Sequence, residues 1–444
     1  MLASAALFSE SGLGHPVPRL LSNGGMNVVM VGPFGLRPRG TMAVRALPMA
    51  QALAARGHAV TVLLPPWQNP EDAGRCWEQG GVVVENVPLP PRIPGLFHLL
   101  VALRLARRAL ALWPDVVHFF KPKSYSGLSH WLLSRLPRAR RPCLVVDTDD
   151  WEGPGGWNEI GGYTAAQRRF FAWQERWGLA HADAVTVASR TLEGLVWALG
   201  VSPERVFYVP NGVGDRRLAT GDWKLNGGEH PASGDQPPAF SVEHPAILLY
   251  TRFFEFPLSR VIEVLCRVRE RIPAARLLVV GKGLFGEEEE LLRLATQSGL
   301  AVTQHAACNT QHVSRFTHDV IYLGWVPPDT LPACFAQADI AIYPFDDTLV
   351  NRAKCAVKLL DLLAAGVPVV AEAVGQNREI IRHGETGWLV APGDVTSFAE
   401  AVVRLLEDAQ LREELGRAAA QDVRNRFAWE RLVETVERAY GVGR

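Results

Sequence analysis

This chain of 444 residues has no long hydrophobic run, no excess charge of either sign and no cysteines at a redox or metal-binding spacing. No apolar stretch reaches the ~18 residues of a membrane-spanning helix, which excludes a helical integral membrane protein. Lys and Arg number 46, as do Asp and Glu, so nothing global points to nucleic acid. The six cysteines (76, 143, 266, 308, 334 and 355) form no CxxC pair, and most lie in apolar surroundings. That pattern suits reduced, buried thiols in a cytoplasmic protein. Ala5-Ala-Leu-Phe8 is too short for a signal-peptide core and no basic stretch precedes it. Residues 1–25 are expected to be a disordered extension ahead of the first strand.

What is present is an alternation of strands and helices. The length favours two domains over one core. Asn27-Val-Val-Met-Val31 reads as a buried strand, followed by a loop over 32–40, a helical pattern over 42–56 and a strand over 59–64, one βαβ unit. Strands over 81–86, 115–119, 143–147, 184–188 and 205–209 follow, separated by helices over 96–112, 126–135, 164–179 and 190–199. Residues 214–243, rich in Gly, Pro, Asp and Ser, break the rhythm as a linker or surface excursion. A second series runs from a strand over 246–251 to a helix over 396–407, with a loop insertion over 303–317. The fold class is α/β: two Rossmann-like domains, 26–213 and 244–428, with parallel sheets facing across a cleft. Ligands in such sheets bind at the carboxyl ends of the strands.

The most informative stretch is Asn351-Arg-Ala-Lys-Cys-Ala-Val-Lys-Leu-Leu-Asp361, read as part of one helix over 352–365. Lys354, Lys358 and Asp361 fall at i, i+4 and i+7 and so share a face. Two cations and a carboxylate there suit a phosphorylated, ribose-bearing ligand, and a solvated face with a Lys358–Asp361 ion pair is the plainer alternative. Arg252 follows a strand, where a guanidinium can grip a diphosphate bidentately. Lys282 in Gly281-Lys-Gly283 sits at a second strand exit. Gly375 would permit close backbone approach to a phosphate, and Glu379 would cap or orient. The loop over 32–40, with Gly35, Arg37 and Arg39, lies where backbone N–H groups meet anions, although it is not GxGxxG and a plain connection fits equally.

In the first domain, Asp115-Val-Val-His118-Phe-Phe-Lys121 places an imidazole and an amine near a strand's end, where His118 could position a sugar or acceptor hydroxyl. Asp149 and Asp150 end the next strand in Asp147-Thr-Asp-Asp-Trp-Glu152. They suit acceptor hydrogen bonds or local capping, and no complementary set of metal ligands accompanies them.

Together these residues resemble the retaining glycosyltransferases of the GT-B fold, family 4. The landmarks, from residue 26 to about 440, include Pro210-Asn-Gly-Val213, Leu278-Val-Val-Gly-Lys-Gly283, Ala338-Asp-Ile-Ala-Ile-Tyr-Pro344, Ala365-Gly-Val-Pro-Val-Val370 and His383-Gly-Glu-Thr-Gly-Trp-Leu-Val-Ala-Pro-Gly393. The resemblance implies a nucleotide-sugar donor held mainly by the second domain, at Arg252, Lys282, Lys354, Lys358, Asp361, Gly375 and Glu379, with Gly35 of the first domain. It implies a carbohydrate, lipid-linked or small-molecule acceptor held by the first domain at His118, Lys121, Asp149 and Asp150. His118, Arg252 and Lys358 would be catalytic, with no metal or other cofactor required, and a final helix over 429–440 would cross back to the first domain.

Two positions depart from that pattern. Ala353 stands where the family commonly has Glu, and Pro257 where it has a basic residue, with Lys354 or Lys358 as substitutes for the lost charge. The departures motivate two alternatives: a catalytically silent GT-B nucleotide-sugar-binding or partner protein, and a GT-B sugar-nucleotide epimerase. An apolar helix over 96–113 with Arg104, Arg107 and Arg108, followed by the basic run Arg138-Ala-Arg-Arg141, suggests peripheral contact with an anionic membrane, at its inner face. A domain-packing helix is the alternative.

Overall fold

The computed structural model describes residues 24–37, 40–94, 96–214, 240–242, 245–304, 314–316 and 318–442. The expected extension up to residue 23, Arg39, linker residues 215–239, and residues 305–313 of the expected insertion lie outside them.

The first sheet has strands β1 (Asn27–Val31), β2 (Ala59–Leu64), β3 (Cys76–Gln79), β4 (Val82–Asn86), β5 (Val116–Phe120), β6 (Cys143–Thr148), β7 (Ala184–Val187) and β8 (Val206–Tyr208). Their order is β3-β4-β2-β1-β5-β6-β7-β8. All neighbours are parallel except β3, an antiparallel edge strand on β4 that hydropathy alone did not separate from its neighbour. Helices α1 (Leu47–Ala55), α2 (Phe97–Ala111), α3 (Ser124–Ser134), α4 (Trp157–Ile160), α5 (Ala165–His181) and α6 (Arg190–Ala198) belong to this half. The Val-rich strands are unalternating because both faces are covered: Val28 and Met30 enter one core, Val29 and Val31 the other.

Phe240–Val242 (β9) pairs with Ser314–Phe316 (β13) in a small separate ladder. The second large sheet contains β10 (Ala246–Tyr250), β11 (Arg276–Val280), β12 (Val302–Gln304), β14 (Val320–Gly324), β15 (Ile340–Tyr343), β16 (Val369–Glu372) and β17 (Trp388–Val390), ordered β12-β14-β11-β10-β15-β16-β17. Its helices are α7 (Leu258–Arg271), α8 (Glu287–Gln297), α9 (Leu331–Ala336), α10 (Leu349–Ala353), α11 (Val357–Ala364), α12 (Asn377–Ile380), α13 (Val395–Glu407) and α14 (Ala409–Phe427). A last helix, α15 (Trp429–Gly441), packs Trp429, Val433, Val436 and Tyr440 against Val28, Met30 and Phe120 of the first sheet. Glu437 ties it down by accepting from Arg56 at 2.7 and 2.8 Å.

The expected single helix over 352–365 is two helices. Lys354 adopts an extended backbone (φ −71°, ψ 136°), and α11 starts only at Val357. Polar groups of the first domain satisfy the break: Ser189 Oγ donates to the Ala353 carbonyl at 2.7 Å and Asn211 Nδ2 to the Cys355 carbonyl at 3.0 Å. Periodicity could not register this, because the partners lie more than a hundred residues away. The same contacts set the carboxyl edges of the two sheets against each other. There Trp157 meets Phe254 edge to face at 5.0 Å, and Gln376 Nε2 donates to the Ala188 carbonyl at 2.7 Å.

Candidate active site

On the second-domain side, β10 ends at Tyr250, and Gly281 (φ 138°) brings the β11 exit so close that a Cβ would lie 1.9 Å from the Thr251 carbonyl oxygen. No side chain fits there, so the two strand exits form one floor. Arg252 is exposed above it and makes no ion pair among the described residues. Lys282 is exposed at the neighbouring exit. Lys358, in the first turn of α11, reaches back over this floor. Its Nζ donates to the Thr251 carbonyl at 3.2 Å and lies 3.7 Å from the Tyr250 ring centre. Burial is the main cause lowering its pKa to about 7; Glu255 opposes the shift and Arg252 and Lys354 add to it. Asp361 is one turn further on the same helix.

Lys354 does not share the face of Lys358 and Asp361, as expected from spacing, because the helix break turns it aside. Its amine is held by the Glu255 carboxylate and lies 4.7 Å from the Phe254 ring centre. Glu255 is 3% exposed and also accepts from Thr251 Oγ1 at 3.4 Å. Sequence reasoning missed Glu255; a carboxylate three residues past Arg252 in the same strand exit was its only signal. Gly375 (φ 46°) is indeed required, but the backbone it approaches is that of Arg352, whose Cα would lie 2.5 Å from a Cβ. Glu379, expected to cap or orient, bonds across the domains. It accepts from Tyr208 Oη at 2.7 Å and from the Arg190 amide at 3.3 Å, so it joins the two domains.

His118 is the clearest correction. It lies within β5 rather than at its end, is 0% exposed, and points into the core beneath α15. Its Nδ1 pairs with Tyr440 Oη at 2.9 Å and its Nε2 with Thr186 Oγ1 at 3.1 Å. Burial, helped by Arg45, lowers its pKa to about 3. Alternation along the strand explains this: Val116, His118 and Phe120 face one core, Val117 and Phe119 the other. The imidazole joins a buried network around Arg45, whose guanidinium donates to Asp147 at 2.8 and 2.6 Å. A π-helical turn over Met42–Ala46 precedes α1 and contains Arg45.

The strand exits of β5 and β6 do meet at the cleft. Lys121 (φ 50°) contacts Asp150 at 2.6 Å, Asp149 at 3.1 Å and Glu152 at 3.7 Å. Burial opposes the charge on Lys121, but the carboxylates outweigh it and hold the pKa well above the usual value. Asp149 also accepts from Thr41 Oγ1 at 2.7 Å. Lys123 adds contacts to Glu152 at 2.7 Å and to Asn158 at 2.9 Å. This is a polar, preorganised nest with carboxylate acceptors, suited to hydroxyl groups. Gly35 is buried at the β1 exit, where a Cβ would lie 3.7 Å from Pro66. Among the described residues no three His, Cys, Asp or Glu side chains are grouped to hold a metal ion.

Comparison with known proteins matches residues 40–212 to the glycosyl transferase 4-like domain and residues 245–408 to the glycosyl transferases group 1. N-acetyl-alpha-D-glucosaminyl L-malate synthase of Bacillus anthracis is 31% identical over 121 residues, 27% of this chain. The match spans only 30% of that relative's length. A GDP-mannose-dependent alpha-(1-6)-phosphatidylinositol monomannoside mannosyltransferase of Mycobacterium tuberculosis is 25% identical over 391 residues, 86% of this chain and 90% of the relative. Sucrose-phosphate synthase from Thermosynechococcus elongatus superposes with a TM-score of 0.66 at 20% identity, covering 94% of this chain and 98% of that one.

Proposed function

The chain belongs to the glycosyltransferases of GT-B fold and family-4 type, and we propose that it moves a sugar from a nucleotide-sugar donor to an acceptor hydroxyl with retention. The observation that carries the reading is the convergence of Arg252 and Lys358 on the floor formed by the β10 and β11 exits. As the glycosidic bond breaks, the leaving nucleoside diphosphate gains charge. Arg252 and Lys358 would meet that charge directly, in a partly desolvated site where fixed cations count for more than in water. Asp361, one turn along α11 from Lys358, would accept from the ribose hydroxyls. Asp149 and Asp150 would hold the acceptor, and a front-face attack beside the leaving phosphate gives retention without a protein nucleophile.

Glu255 does not replace the carboxylate missing at Ala353, because it is nearly buried and paired with Lys354. The acceptor class follows a relative named for a phosphatidylinositol monomannoside. The lipid-linked class is our first choice. Incubation with UDP-, GDP- and ADP-sugars, with and without lipid extract, tests the reading. Acceptor-dependent release of nucleoside diphosphate, insensitive to chelators, is expected. Acceptor-free sugar conversion would instead indicate an epimerase, and no turnover with any donor a binding protein.

A further inference from the structure

We propose that the outer face of α2, α3 and α5 is a docking surface for an anionic lipid bilayer, continuous with the acceptor side of the cleft. These helices lie side by side over one face of the first sheet, with α3 in the middle. Their buried sides fill the core through Val101, Leu105, Leu133 and Leu179. Their outer sides are unusual. On α2 an exposed stripe at helical spacing is apolar: Leu96 is 51%, Leu99 46% and Leu103 36% exposed. On α5, Phe170 is 41% and Trp173 43% exposed, and all six residues 165–170 are exposed, so this end of the helix projects from the domain.

Charge selects the occupant. Neither α2 nor α3 contains an Asp or Glu, and the one carboxylate of α5, Glu175, is buried. The exposed charges of α5 are Arg168, Arg169 and Arg176. Arg135 lies over the Trp131 ring at 4.6 Å, with exposed Arg138 and Arg140 beyond it. Aromatic and aliphatic side chains among arginines, with no exposed carboxylate on the three helices, match a negatively charged headgroup region above hydrocarbon. The aromatic rings run as one ridge along α5, with ring centres 5.8 Å apart for Phe170 and Trp173, 6.1 Å for Trp173 and Trp177 and 4.4 Å for Trp177 and His181.

The surface also leads into the site. The Lys123 amine lies 4.4 Å from the Tyr163 ring centre and 4.8 Å from that of Phe171. Phe171 adjoins Phe170 at 5.9 Å. A lipid-linked acceptor could therefore present its head to Lys121 and Asp150 while its chains stay in the bilayer beside α5. Only this last link rests on the transferase reading; the docking itself does not.

Flotation of the full chain with phosphatidylcholine vesicles, with and without phosphatidylglycerol, tests the surface without any nucleotide sugar. Failure to float would thus be distinguishable from failure to transfer. Binding only to the anionic vesicles is expected, weakening as salt rises. Arg168→Ala with Arg169→Ala should weaken it by about thirtyfold, at the usual contribution of an arginine near such a surface. Phe170→Ser with Trp173→Ser should abolish flotation, whereas Trp325→Ser, at an exposed tryptophan of the second domain, should not. No binding to anionic vesicles at low salt would overturn the proposal. So would equal binding to neutral vesicles, or a self-association in sedimentation that the Phe170/Trp173 variant removes.

Discussion

Lys358 holds its amine 3.7 Å from the centre of the Tyr250 ring, with the Thr251 carbonyl 3.2 Å away. Buried there, and facing Glu255, Arg252, Lys354 and Asp361, it titrates at about 7. A diphosphate beside it would favour the charged form, so binding raises its pKa. Affinity gained this way is complete below the free pKa and is lost as pH rises through about 7 towards the bound value. The association constant for the nucleoside diphosphate should therefore fall by about tenfold per pH unit above neutrality. Lys358→Arg keeps its charge and should flatten the profile. Calorimetry across this range checks both, and a level wild-type profile would remove Lys358 from the phosphate site.

Arg252 is exposed and makes no ion pair among the described residues, so its removal should leave the fold alone. Arg252→Ala should keep the melting temperature but weaken nucleoside diphosphate binding by roughly 1.5–3 kcal/mol, the range for hydrogen bonds to charged groups. Arg252→Lys should recover only part of this, because the bidentate fork is lost. Wild-type affinity in either variant would contradict the assignment.

The fold was legible because buried parallel strands announce themselves as β-branched runs and their connections as 3.6-residue patterns. The positions of Arg252 and Lys121 at strand exits were legible because they follow from where the β-branched runs end. His118 was misplaced because its role depends on which side of β5 it faces and on Tyr440, over three hundred residues away. Lys354 was misplaced because donors from Ser189 and Asn211 stabilise a helix break that local spacing does not contain. Glu255 was passed over for the same reason: its partner is 99 residues distant. What the sequence hid is set by long-range polar pairing, to which periodicity is blind.

That pairing gives Lys354 a structural role. Lys354→Ala leaves the nearly buried Glu255 carboxylate without its cation and should destabilise the protein by about 3–5 kcal/mol, as breaking a buried pair does. Glu255→Gln combined with Lys354→Met removes both charges and should cost less than the sum of the single changes. The double variant should still bind nucleoside diphosphate within a few-fold of wild type. A large affinity loss in the folded double variant would return Lys354 to the donor site.

His118 offers the sharpest separation of structure from catalysis. Its two ring nitrogens are bonded to Tyr440 and Thr186 inside a fully buried network. His118→Ala should open a cavity and orphan both hydroxyls, at a cost of roughly 2–4 kcal/mol. At temperatures where the variant stays folded, kcat and nucleotide affinity should match the wild type. There is a pH signature as well. The pKa is lowered from 6.5 to about 3 in the fold, so the unfolded chain binds a proton through this window and the folded one does not. Stability is therefore full above about pH 6.5 and declines as pH falls towards 3. His118→Phe should lessen the acid sensitivity while lacking the hydrogen bonds. Thermal denaturation of wild type and variants between neutrality and mild acid measures this. A His118 variant of undiminished stability but lowered kcat would instead place the imidazole at the chemistry.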